Sequence, residues 1–280
     1  SKFSSRIAVQ FIAGKLESGS YEKLSHAVPY LLDLLNGRSS SSRSEPAIGS
    51  QEKCPQIIPG LHASPFWDTS KLPWVQQLES SFNDIKQEFF NLRERVVRNE
   101  ASGFQHYLSP KAQTESTVEN SPKIGESATD RGHWNVCYFY LHGVDFSENL
   151  ERCPKTATAI SSIPRQYHHA LFSALAPDTH VKPHCGPTNK KLRCHLPLHI
   201  PPAGAGSAQH TTLRGDTCTI GTVPNSAWLR VGSEYRALEE GKCVVFDDSF
   251  EHEACNPSTT EPRIVLIIDV WHPDLSDEEV

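Results

Sequence analysis

The chain has 280 residues, enough for one large domain with an appendage or for two modest ones. Its 27 Lys and Arg stand against 33 Asp and Glu, a formal charge of -6, which excludes a global cationic surface and makes nucleic acid an unexpected partner. No run of 18 or more apolar residues occurs, so no membrane span is expected in this chain, and the opening "SKFSSRIAVQFIAGKLESGS" is too mixed for a secretory core. The start at Ser and the lack of Met fit a trimmed segment whose precursor carried an address or an anchor. The eight cysteines show no C-x-x-C spacing, which argues against a structural zinc site and leaves one or two disulfides open.

Taken in chain order, apolar positions recur at helical intervals through "YEKLSHAVPYLLDLLNG", so residues 1 to 36 are expected to form an N-terminal helical segment. The Ser-rich stretch "GRSSSSRSEPAIGSQEK" loses that periodicity, and residues 37 to 53 read as a flexible linker before a domain of residues 54 to 280. Trp74, Leu78, Phe82, Ile85, Phe89 and Leu92 then recur at three- and four-residue steps, the pattern of one long amphipathic helix. Residues 99 to 130 are polar and expected to be irregular; "WNVCYFYLHG" reads as a strand, and "KTATAISSIPRQYHHALFSAL" as a short helix followed by a strand. Beyond residue 170 come short β-like runs punctuated by Pro, Gly and Asn. The expected fold is therefore mainly β, a sandwich or barrel with the helices packed on its outside.

Two stretches carry candidate chemistry, "HVKPHCGPTN" and "DDSFEHEACN". In an extended "LRCHLPLHI", strand alternation puts Leu192, Cys194, Leu196, Leu198 and Ile200 on an apolar face and Arg193 and His195 on the opposite, ligand-facing one. The same alternation sends Glu251 and Glu253 away from His252. Arg263 opens "RIVLIID", a run apolar enough to be buried on both faces, and a buried guanidinium requires an anion such as a dicarboxylate ligand. Asp247 and Asp248 read as turn formers, Cys185 as structural, and His180 as a residue of the pocket entrance. A His followed some tens of residues later by a second His and then by a strand Arg is the order found in non-haem iron oxygenases, but Gly186 stands where those enzymes place a carboxylate.

Taken together, "PHCGPTNKKLRCHL", "FDDSFEHE", "RIVLIIDVWHPDL" and the upstream "PGLHASPFWD" resemble the aspartyl/asparaginyl β-hydroxylase family over roughly residues 57 to 275. The resemblance implies a double-stranded β-helix of jelly-roll or cupin type with an unusual two-histidine iron site. By that likeness His184 and His252 bind Fe(II) as the catalytic metal ligands, and Gly186 marks the open coordination position. Arg263 with Ser173 grips the distal carboxylate of 2-oxoglutarate, Arg193 and His195 complete the cosubstrate pocket, and Tyr140 and Lys191 fall at substrate-binding places. By that likeness Tyr140 replaces a tryptophan and Lys191 an arginine of the animal enzymes. "RCPKTATAI" lacks the second cysteine of the animal pattern. The implied reaction is hydroxylation of an Asp or Asn in a peptide or protein substrate, an epidermal-growth-factor-like domain among them, coupled to conversion of 2-oxoglutarate and O2 to succinate and CO2. Alternatives are a hydroxylase or halogenase of a small molecule or lipid, and an inert cupin-like binding module. Likeness to the animal enzymes places the chain in the endoplasmic reticulum lumen; the cytoplasm is the alternative.

Overall fold

The computed structural model describes residues 24–28, 30, 51, 53–101, 103–107, 128–202, 210–211, 217–218 and 226–280. The expected N-terminal segment and linker lie almost wholly outside them. Where the segment is described, the backbone N–H groups of His26 and Ala27 both donate to the Glu279 carboxylate, each at 2.9 Å.

Two helices follow, α1 (Pro73–Ser80) and α2 (Phe82–Val97), where the periodicity predicts one. The break falls at Ser81, whose backbone leaves helical geometry; Pro73 opens α1 because its missing N–H costs nothing in a first turn. The predicted stripe still works across the break, since Leu78, Ile85, Phe89 and Leu92 are buried while Trp74 and Phe82 are only partly so. Two short helices, α3 (Ser147–Arg152) and α4 (Pro154–Ser161), join them outside the sheets.

The strands are β1 (Gln105–His106), β2 (Thr129–Arg131), β3 (Trp134–Leu141), β4 (Val144–Asp145), β5 (Gln166–Leu175), β6 (Thr179–His184) and β7 (Lys191–His199), then β8 (His210–Thr211), β9 (Thr217–Cys218), β10 (Trp228–Val231), β11 (Glu234–Ala237), β12 (Val244–Phe246), β13 (His252–Asn256) and β14 (Arg263–Trp271). A large antiparallel sheet runs β1-β3-β5-β14-β7-β12 with β4 on β3; a smaller one runs β11-β10-β13-β6-β2. Successive strands alternate between the sheets: β5 large, β6 small, β7 large, β10 small, β12 large, β13 small, β14 large. That winding is the double-stranded β-helix.

Period-two alternation divides the core in two. Cys137, Phe139, Phe172, Leu192, Cys194, Leu196, Leu198, Leu266 and Ile268 face outward and meet Ile85, Phe89 and Ile160 of the helices. Val136, Tyr138, Leu171, Val181, Leu229, Phe246 and Ile267 face inward between the sheets. Each such Leu, Ile or Phe contributes about 1.5–3 kcal/mol on burial. The outer layer clamps the large sheet to the helices, which leaves the inner face of that sheet free to carry polar groups.

Candidate active site

The inner faces of the two sheets form a pocket lined by Trp134, Ser173, Leu175, Val181, His184, Arg193, His195, Leu229, Phe246, His252, Ala254, Arg263 and Ile267. Six of the nine residues singled out from the sequence border it: His184, His252, Ser173, Arg193, His195 and Arg263.

His184 ends β6 and His252 begins β13, and the two are direct cross-strand partners. Their ring centroids are 4.2 Å apart. Each ring is fixed by its own strand: Nδ1 lies 2.8 Å from the Lys182 carbonyl in His184 and 2.9 Å from the Phe250 carbonyl in His252. A carbonyl only accepts, so each Nδ1 carries the proton and Nε2 is the nitrogen with a free lone pair. Desolvation, with His184 beside it, pushes His252 well below the usual imidazole pKa, so it stays neutral. His184 is also lowered by desolvation, although the residue as a whole is exposed at the end of β6. Neutral imidazoles with the tautomer set by a backbone carbonyl are what a divalent metal requires.

Gly186 follows His184 by two residues. A Cβ there would stand 2.6 Å from Asp248 Cγ and 2.7 Å from each of its oxygens, closer than a side chain can sit. The Gly186 N–H also donates to the Asp248 carbonyl at 2.6 Å. Among the described residues no group of three or more His, Cys, Asp and Glu is arranged to hold a metal, so an ion between His184 and His252 would rest on two protein ligands.

Arg263 opens β14 at the other end of the pocket, 2% exposed. Its Nε has no hydrogen-bond partner, and one Nη lies 3.4 Å from His195 Nδ1. Burial lowers its pKa to about 10. Desolvation, followed by the charges of Arg263 and Arg193, holds His195 well below 6.5, so His195 is neutral and accepts. Ser173, 1% exposed, stands on β5 between Trp134 of β3 and Arg263 of β14.

Arg193 and Lys191 share a buried ionic cluster. Asp269 accepts Arg193 Nε at 2.7 Å and Nη2 at 2.8 Å, Lys191 Nζ at 3.0 Å, and lies 2.8 Å from His169 Nδ1. Burial works to raise the Asp269 pKa, but Arg193, Lys191 and His169 hold it well below the carboxylate range. Asp248 takes Lys191 Nζ at 2.6 Å and lies 3.4 Å from Arg193 Nη2, while its buried Oδ1 has no partner. Lys191 is thus 2% exposed and engaged by two carboxylates of the chain itself, away from the pocket lining. Tyr140 also stands apart: an irregularity after Tyr138 turns it to the outer layer, edge-on to His168 at 5.5 Å.

Two readings of single residues are corrected. Asp247 does shape the turn, accepting the Ser249 N–H at 3.0 Å, but Asp248 points into the cluster and bonds side chains. His180 is held between Asp130 and Glu253 on the outer face of the small sheet, each at 2.9 Å, and not at the pocket entrance. Asp269 was passed over; its signal was one carboxylate inside the apolar "RIVLIIDVW". Cys185 is a free thiol, as are Cys54, Cys137, Cys153, Cys194 and Cys243.

The residues present fit an iron(II) ion and a dicarboxylate. Two fixed, neutral imidazoles supply nitrogen donors, and the partnerless Arg263 N–H supplies an anion site. The arrangement, a double-stranded β-helix with paired histidines at one end of its pocket and a buried guanidinium at the other, defines the class. The sequence profile of the aspartyl/asparaginyl beta-hydroxylase family matches residues 79–273, and the chain belongs to that family. It is 29% identical to the mouse aspartate beta-hydroxylase domain-containing protein 2 over 84% of this chain and 58% of the relative, so it spans a little over half of that protein. It is 29% identical to human aspartyl/asparaginyl beta-hydroxylase over 79% of this chain and 24% of that one. It is also 29% identical to the ornithine lipid ester-linked acyl 2-hydroxylase of Rhizobium tropici, over 75% and 61%.

Proposed function

We propose that the chain is an iron(II)- and 2-oxoglutarate-dependent hydroxylase acting on the β-carbon of an Asp or Asn residue in a peptide or protein substrate. The observation that carries this reading is that one pocket is bordered both by two imidazoles with fixed tautomers and by a buried guanidinium with a partnerless N–H.

His184 and His252 would hold the metal through Nε2. Bound there, iron(II) would supply chelation of the keto acid and activation of dioxygen, with 2-oxoglutarate converted to succinate and CO2. Arg263 and Ser173 take the distal carboxylate, and the guanidinium regains on binding the charge partner that its burial denies it. His195, neutral, accepts from Arg263 and keeps that fork aimed. Arg193 is held rigid by its two bonds to Asp269 and borders the metal end of the pocket. Leu175, Val181, Leu229, Phe246, Ala254 and Ile267 keep bulk water from the reacting centre.

A second reading, hydroxylation of a lipid acyl chain or small molecule, is favoured by one observation. The Lys191 ammonium, at the place expected to grip an acidic substrate, is already neutralised by Asp248 and Asp269. A relative is named as an acyl 2-hydroxylase. Halogenation is disfavoured, because a halide beside Gly186 would face the Asp248 carboxylate.

Anaerobic addition of iron(II) and 2-oxoglutarate should produce a weak visible charge-transfer band, and admission of air should yield succinate. No band and no succinate would favour an inert module. A peptide-library turnover screen read by mass then separates the substrates: a gain of one oxygen on Asp or Asn supports the first reading. Oxygen gain only on acyl lipids supports the second, and chlorine incorporation with chloride present overturns both.

A further inference from the structure

The buried ionic cluster beside the pocket is balanced in charge: two carboxylates, Asp248 and Asp269, face two cations, Lys191 and Arg193. Lys190, the residue before β7, stands outside that balance. Its ammonium lies 5.4 Å from the centre of the Trp271 ring and 5.7 Å from that of Tyr167, and among the described residues no carboxylate is within ion-pair distance of it. Register gathers the three. Trp271 ends β14 opposite Lys191, and its N–H donates to the Arg165 carbonyl just before β5, which brings Tyr167 edge-on to the indole at 4.6 Å between centroids. The Lys191 ammonium lies 5.9 Å from the same Tyr167 ring. One aromatic ring therefore stands beside both a neutralised cation and an unneutralised one.

Lys190, Tyr167 and Trp271 are all half-buried, and among the described residues neither the Tyr167 hydroxyl nor the Trp271 indole N–H has an acceptor. The rings hold the lysine by cation–π attraction, which orients the ammonium without neutralising it. Burial, followed by the charge of Lys191, lowers the Lys190 pKa, so its charge carries a cost that a bound anion would offset. We propose that Lys190, with Tyr167 and Trp271, forms a carboxylate-binding subsite for the peptide substrate and takes an acidic side chain flanking the hydroxylated Asp or Asn. The subsite presupposes the peptide reading above and deepens it: the cation that Lys191 cannot offer comes from its neighbour. Contacts run from Arg193 at the pocket through Asp269 and Lys191 to Tyr167 and only then to Lys190. The ammonium thus lies beyond the pocket lining, where it meets a residue beside the target and not the target itself.

The test uses matched pairs of synthetic peptides, identical except for Glu or Gln beside the target Asp, in turnover with iron(II) and 2-oxoglutarate and, separately, in equilibrium binding without dioxygen. The unaltered protein should favour the Glu peptide by about fivefold in Kd and in KM, between the worth of an exposed ion pair and that of a charged hydrogen bond. Lys190→Met, which keeps a stem of similar length against the rings, should bring that ratio to within about twofold, and Lys190→Arg should keep it near the original. Added salt should shrink the preference only where the cation is present. No preference in the unaltered protein, a preference that survives Lys190→Met, or equal losses on both peptides would each overturn the inference. If Lys190 governs binding to anionic phospholipid vesicles and not to either peptide, the anion is a lipid headgroup and the inference fails as well. Lys190-dependent preference in binding, with no oxygen gained by any peptide, would instead sink the peptide-hydroxylase reading and leave the subsite standing.

Discussion

His184 and His252 are paired directly across the β6–β13 ladder, 68 positions apart in sequence and 4.2 Å apart between ring centroids, each ring tied back to the carbonyl two residues before it. The same local bond appears twice, so the pair is set by strand geometry and does not depend on a third residue.

On the proposed reading, replacement of His252 by Ala removes one of the two protein ligands to the metal. Even partners that only orient a ligand are worth about 10- to 100-fold in metal affinity, so loss of the ligand should exceed about 100-fold. Iron(II) titration and succinate release both read this. Retained affinity would show that the metal sits elsewhere.

Arg263 is buried without a carboxylate partner and should cost the ligand-free protein stability. Arg263→Met, similar in length and uncharged, should raise the melting temperature of the protein alone and abolish its stabilisation by 2-oxoglutarate. The lost charge pairing corresponds to about 2–5 kcal/mol of binding. Thermal unfolding with and without the oxoacid checks both signs.

Gly186 cannot take a Cβ while Asp248 keeps its place. Gly186→Ala should destabilise the fold by about 1–3 kcal/mol through overpacking, and Asp248→Ala in the same chain should recover part of that loss. Urea denaturation of the single and double variants decides it. Gly186→Asp should fail to build a working third ligand, because two carboxylates would compete for one space.

Asp247 carries a pH prediction. Desolvation raises its pKa to about 7 from 3.8, with Asp248 adding to the effect and the bonds from Ser249 opposing it. The unfolded chain therefore releases this proton more readily, and the associated stability is full below about pH 4 and lost as pH rises through 7. Asp247→Asn should gain on the wild type between about pH 4 and pH 7 and level off above that in chemical denaturation. A constant difference across that range would rule out the shifted carboxyl.

Much of this was legible because it rests on local geometry. Alternation puts Leu192, Cys194, Leu196, Leu198 and Ile200 on one face and Arg193 and His195 on the other, and the structure has them so except for Ile200, which packs against the inner cluster beyond the end of β7. The apolar run after Arg263 announced a strand buried on both faces, and β14 is one. The long helix was misread at one residue, Ser81, since the apolar stripe continues through the break and gives no warning of it.

What the chain's own pattern determined, then, was which residues share a face: period two for the strands, three to four for the helices, and carbonyl bonds two residues away for the histidines. Only the folded arrangement decided which faces meet. Asp248 joins Lys191 and Arg193, Asp269 gathers Arg193, Lys191 and His169, and Trp134 reaches Ser173 because strands distant in sequence are brought side by side. Tyr140 turns outward because one irregularity in β3 shifts the alternation. Side-chain direction is set by the nearest few bonds, whereas partnership depends on register between strands, which no short stretch of sequence specifies.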